Sequence, residues 1–189
     1  MRRPLLALLL AALPWVAVAA PEDGEAPLPG LGGPIDLVDQ AGHAFHLSQM
    51  GRRRALVFFG FTHCGTMCPT AMLTAKQVLA SAQAGTTPPV VLFVTIDPLN
   101  DTPAHLRDYL RVFDPRVVGL TGVPDQVWRV AQHYGVGIAR DGQSLAHSSR
   151  WYVVDADGRI DRVYNYDTPP ERLAAALRLP LSVAQEGPR

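Results

Sequence analysis

Leu56-Val57-Phe58-Phe59-Gly60-Phe61-Thr62-His63-Cys64-Gly65-Thr66-Met67-Cys68-Pro69 is the stretch that decides how this chain folds. Residues 56–61 form a short continuous apolar run, the pattern of a strand buried on both faces of a sheet. The run feeds directly into the chain's only two cysteines, Cys64 and Cys68. Behind them Met72, Ala75, Val78, Leu79 and Ala82 recur at helical spacing, which predicts a helix from Pro69 to Ala84 stopped by Gly85. A helix start carries partial positive charge from its unpaired N–H groups, which favours thiolate over thiol. On an ideal helix, positions four apart rise about 6 Å and share a face. That separation suits a disulfide, and it also lets both sulfurs point at one soft ion, copper(I) above all. A bridge closing so short a loop would be a poor structural staple, because it removes little unfolded-state entropy. The pair therefore reads as redox chemistry or as metal capture, and in the second case a third ligand is needed elsewhere.

Outward from this stretch, strands alternate with helices. Ile35–Asp39 and Ala44–Leu47 read as an N-terminal β-hairpin, and Val90–Ile96 as a second buried strand. Thr102 is placed as an N-cap with Pro103 at the first helical position, ahead of the stripe Leu106, Tyr109, Leu110 and Phe113. Val117–Leu120 is a third inner strand, and Val127, Val130, Ala131 and Tyr134 mark a helix that ends at Gly135. Trp151–Val154 and Arg159–Tyr164 form a hairpin around Asp155-Ala156-Asp157-Gly158, and Thr168-Pro169-Pro170 opens a last helix through Leu177. The pattern predicts an α/β domain with a mixed central β-sheet flanked by helices, its thiols at the turn leaving a central strand.

The chain has 189 residues, which argues for one domain. Its formal net charge is zero, with 17 basic and 17 acidic side chains, so nothing suggests a nucleic-acid partner. Arg2 and Arg3, the apolar run Leu5–Val18 and the small residues Ala17-Val18-Ala19 read as an export signal over residues 1–19. The alternative is an uncleaved anchor in the cytoplasmic membrane, the one case in which the protein is membrane-associated. Residues 20–33, rich in Pro, Gly and acid, read as a flexible spacer, 34–180 as the domain and 181–189 as a tail. Export places the thiols in an oxidising compartment, the periplasm of a bacterial cell.

Phe59-Gly60-Phe61-Thr62-His63-Cys64 and Cys68-Pro69-Thr70 resemble the metal motif of the Sco/SenC family. Val94-Thr95-Ile96-Asp97-Pro98 with Asp101-Thr102-Pro103, and Phe113-Asp114-Pro115-Arg116 with Val118-Gly119-Leu120-Thr121-Gly122, are similar to its later signatures. The resemblance runs from about Gly33 to Leu179. It implies a thioredoxin-like fold, copper as the bound metal (as Cu(I), Cu(II) or both) and a role in cytochrome oxidase assembly. It also implies a third ligand, His147 in Ala146-His147-Ser148-Ser149, beside Cys64 and Cys68. Gly65-Thr66-Met67 stands where the family often has Pro-Asp-Val or Pro-Asp-Ile, and Ala146 where an aspartate commonly precedes the histidine.

Two functions follow. The first is a copper metallochaperone that delivers its ion to the binuclear copper centre of a cytochrome c oxidase subunit or to another copper protein, or exchanges it with other copper chaperones. The second, which alone would be an enzymatic activity, is a thiol–disulfide oxidoreductase keeping a partner's copper-ligand cysteines reduced. In it Cys64 and Cys68 are the redox pair. Of the remaining candidates, His63 is read as packing or electrostatic support for Cys64, with an adventitious ligand as the alternative, and Asp97 as a residue supporting the site by hydrogen-bonding a ligand or capping the next turn. Met67 is read as filler, with a thioether ligand to copper as the alternative. His43 and His46 should point to opposite faces of the hairpin. His105 and His133 are read as solvated or boundary residues, and Arg52-Arg53-Arg54 as a solvated turn.

Overall fold

The computed structural model describes residues 24–25, 29–82, 88–141 and 144–178. The expected signal over 1–19, much of the spacer over 20–33 and the tail over 181–189 lie outside the described residues. The elements run β1 (Asp36–Asp39), β2 (Ala44–His46), a 3-10 turn (Leu47–Met50), β3 (Ala55–Gly60), α1 (Met67–Ala80), β4 (Val90–Thr95), α2 (Pro103–Leu110), β5 (Val118–Thr121), α3 (Pro124–His133), β6 (Ile138–Asp141), β7 (Ser144–His147), β8 (Arg150–Val154), β9 (Ile160–Asn165) and α4 (Pro170–Arg178).

Seven strands make one mixed sheet in the order β2-β1-β5-β4-β3-β8-β9. Its centre is parallel: β3 pairs with β4 from Ala55↔Val90 to Gly60↔Thr95, and β4 with β5. Antiparallel strands flank it, with β8 against β3 (Phe58↔Trp151) and β1 against β5. The apolar run is continuous because β3 is covered on both faces, and all six of its residues are buried. Alternation splits them. Val57 and Phe59 join Leu92, Val94, Val127, Ala131 and Tyr134 on the face covered by α3. Leu56 and Phe58 join Cys68, Met72, Leu106, Trp151 and Leu173 on the face covered by α1, α2 and α4. The expected mixed α/β architecture is present.

Three expectations are corrected. Helix α1 begins at Met67 rather than Pro69, so Cys68 lies in its first turn and only Cys64 precedes it. Proline is tolerated there because a first-turn N–H has no helical partner to lose. The spacer is not free where it is described. Glu25 exchanges backbone hydrogen bonds of 2.9 and 3.0 Å with Val163, and Gly33 N–H donates to the Gly158 carbonyl at 2.9 Å. The edge strand β9 offers unpaired backbone groups that such a segment can meet. Arg54 is not part of a solvated turn. It is 6% exposed, paired with Asp161 at 3.0 Å and bonded to the Ala176 carbonyl at 2.8 Å.

Candidate metal centre

The sheet delivers the site at the carboxyl end of β3. Gly60 closes that strand, and its lack of a side chain is a packing requirement. A Cβ there would stand 2.8 Å from Cys68 Sγ and 3.0 Å from the Phe93 ring. The loop that follows is anchored from below by Asp101, fully buried at the turn before α2. Thr62 donates to Asp101 through its hydroxyl at 2.6 Å and its N–H at 3.1 Å, and Thr95 donates at 2.6 Å. A buried carboxylate is tolerated when its lone pairs are met this way. The sequence pointed to Asp97 for this supporting role. Asp97 takes the other role the sequence allowed it and caps the next turn, accepting from Asn100 Nδ2 at 2.7 Å while its carbonyl accepts from Asp101 N–H at 2.9 Å. The signal for Asp101 was its place in Asp101-Thr102-Pro103.

Cys64 and Cys68 are both free thiols, the first partly exposed and the second buried. Their side chains are hydrogen-bonded to each other, and the backbone of Phe61 also bonds Cys68. Burial pushes the Cys68 thiol well above its ordinary pKa, against the opposing Phe61 bond and with smaller contributions from Cys64 and Asp101. The expectation that the helix start makes this sulfur a ready thiolate is thus corrected. Partial charges at a helix end do not match the cost of desolvating an anion beneath α1. The Tyr109 hydroxyl feels the same surroundings. Burial raises its pKa, the two cysteines and Asp101 add to the effect, and its oxygen has no hydrogen-bond partner among the described residues.

His147 ends β7, in a two-stranded ribbon with β6 where it sits opposite Ile138. Its ring meets that of Phe61 edge-on, with centroids 5.9 Å apart and an interplanar angle of 72°. Phe61 therefore touches both the thiol pair, through its backbone, and the imidazole, through its ring. Nδ1 of His147 lies 3.1 Å from the Ser148 carbonyl, to which it donates. That bond fixes the tautomer and leaves the lone pair on Nε2, which is buried and has no partner among the described residues. The hydroxyls of Ser148 and Ser149 are equally orphaned. Burial holds the imidazole pKa below its ordinary value, despite the Ser148 bond, so it is a neutral donor. The Ser148 carbonyl does the orienting that an acid at position 146 would otherwise do.

The structure brings the two sulfurs together and aligns His147 against Phe61. It does not gather all three donors into one tight group. Among the described residues the group with mutually close ligand atoms is His63, Asp101 and His105. The sulfur pair and an orphaned, oriented Nε2 fit a soft ion that takes two thiolates and an imidazole. His43 and His46 each meet a separate carboxylate, Asp39 at 3.8 Å and Asp36 at 2.8 Å. Met67 stands 37% exposed at the helix start rather than packed as filler.

Comparison with known proteins agrees with this picture. The SCO1/SenC family model matches residues 24–181. An SCO2-like protein of Rickettsia conorii is 32% identical over 155 residues, covering 78% of this chain and 76% of its own. The structure of Bradyrhizobium japonicum ScoI solved with copper bound superposes with a TM-score of 0.70 at 35% identity, over 80% of this chain and 99% of that one. Yeast Sco1 with copper bound gives a TM-score of 0.67 at 30% identity, over 78% and 86%.

Proposed function

The chain belongs to the SCO1/SenC family and has its thioredoxin-like fold, and from that premise we propose that it is an exported copper-binding protein serving assembly of cytochrome c oxidase. Copper(I) is the cargo, and Cys64, Cys68 and His147 are its ligands. The observation that carries this reading is the Nε2 of His147, buried, lone-paired and without a partner among the described residues while Nδ1 is tied to Ser148. An apolar wall would leave such an acceptor uncompensated, at a cost of about 1–3 kcal/mol. A soft cation offsets it. Two relatives whose structures hold copper share most of their length with this chain.

The chain's own groups define the capture. Cys68 waits as a buried thiol and gives up its proton on binding, so uptake releases protons. Cys64, the more exposed sulfur, receives the ion first. His147, at the end of β7, completes the set. Release to the copper centre of an oxidase subunit, or to another copper protein, reverses these exchanges. The location proposed is the periplasm, by cleavage of the signal or by retention as an anchor. No helix among the described residues is long and apolar enough to cross a membrane.

Titration of the reduced protein with copper(I) tests the assignment. One equivalent should bind, each Cys→Ser change should abolish tight binding, and His147→Ala should weaken it at least tenfold. Binding left intact by all three changes overturns it. The mutual hydrogen bond of the sulfurs also supports a second reading, a dithiol that reduces a partner's copper-ligand cysteines. Rapid reduction of such a peptide disulfide by protein with negligible copper affinity would favour that reading.

A further inference from the structure

We propose that His63 and His105, together with the Asp101 carboxylate, form a second cation site, for a borderline divalent ion of the copper(II) class, separate from the thiol pair. One ring nitrogen of each histidine and a carboxylate oxygen of Asp101 lie within 4.8 Å of one another. The two rings come from different elements, the loop after β3 and the first turn of α2. They are held nearly parallel, with centroids 5.4 Å apart and an interplanar angle of 14°. Both are exposed, so an ion can reach them and small ring rotations can draw their lone pairs together.

Asp101 is the fixed corner. It is 0% exposed and pinned by Thr62 and Thr95, yet among the described residues Oδ1 accepts only the Thr62 hydroxyl and keeps a lone pair. His63 is oriented through the same hydroxyl. Its Nδ1 lies 3.2 Å from Thr62 Oγ1, whose single proton already goes to Asp101 at 2.6 Å. Nδ1 must therefore be the donor in that contact, which leaves the lone pair on Nε2 for a ligand.

The local charge favours a cation on balance. His105 sits at the third residue of α2, its N–H bonded to Thr102 Oγ1 at 3.3 Å, and a helix start disfavours a cation by its partial positive charge of about half a unit. The carboxylate of Asp101, an acceptor in the same group, outweighs that partial charge. A donor set of two nitrogens and one oxygen, without sulfur, selects borderline ions, and among the divalent ones copper(II) binds most tightly. The thiol pair selects the soft monovalent ion. His63 directly precedes Cys64, so the two sites adjoin and sort ions by softness.

The test uses the full chain carrying Cys64→Ser and Cys68→Ser, so that failure of the thiol site cannot affect the result. It should bind one copper(II) with paramagnetic resonance lines split by imidazole nitrogen. His105→Ala or His63→Ala, both at exposed positions, should weaken binding at least tenfold and remove one nitrogen's splitting. His46→Ala should change neither. Binding indifferent to His63 and His105, or lost with His147→Ala instead, overturns the site. Should the double serine chain not fold, the same titration on wild-type protein with both thiols oxidised separates the same outcomes.

Discussion

Gly60 shows how one residue can carry a site without taking part in its chemistry. Nothing about its backbone demands glycine; the constraint is the Cys68 sulfur lying where a Cβ would go. Gly60→Ala should cost about 1–3 kcal/mol by overpacking. It should also push the sulfur off its position, so copper(I) affinity falls along with the denaturation midpoint. A loss of stability with unchanged affinity would mean that the sulfur's place does not depend on this glycine. The three proposed copper ligands were all legible as residue types in a motif. The tautomer of His147 was not, because it is set by a carbonyl whose direction depends on the ribbon. Nor was the burial that keeps Cys68 protonated, since the sequence shows a helix start but not what packs over it.

At the scale of elements, periodicity located β3, α1, α2, α3 and the β8–β9 hairpin, and it passed over the β6–β7 ribbon. Residues 138–147 contain one β-branched residue, Ile138, and scattered polar ones, too weak an alternation to read as paired strands. The signal present was Asp141-Gly142, a hairpin pair. Residues 142–143 lie outside the described residues. The connection from α2 to β5 makes a sharper case. Arg116 holds Asp114 in a 2.6 Å ion pair and donates to the Leu79 carbonyl at 3.1 Å, tying that connection to the end of α1. Hydrogen bonding to Arg116 keeps the Asp114 carboxyl below its ordinary pKa, burial opposing. The stabilisation is therefore complete above the unfolded pKa of about 3.9 and is lost as pH falls through the lower native value. Asp114→Asn should cost about 1 kcal/mol at pH 7, because Arg116 is half exposed and the pair is screened. Melting curves of the two proteins should converge as pH falls below about 4. A gap that does not narrow as pH falls below about 4 would place the effect in packing instead.

At the scale of the whole molecule, Arg54 joins pieces far apart in the chain. It enters β3, pairs with Asp161 on β9 and bonds the Ala176 carbonyl of α4. Arg54→Ala removes the ion pair with Asp161 and the bond to the Ala176 carbonyl and should cost about 3 kcal/mol, while Arg52→Ala at the exposed turn should cost little. For a chain of this size that is a fall in melting temperature of about 10 °C, readable by calorimetry. Equal melting temperatures for the two variants would return Arg54 to the solvated turn expected of it. The sequence alone determined the order of strands and helices outside the β6–β7 ribbon, the buried centre of the sheet, the family and the residue types of the proposed copper site, because these depend on local periodicity and on motifs within short stretches. Only the tertiary structure decided which of three adjacent arginines is buried, that Asp101 rather than Asp97 anchors the loop, that Cys68 is buried, and that His63 meets His105. Each of these turns on desolvation or on contact between segments distant in the chain, and neither is a property of the stretch of sequence in which the residue stands.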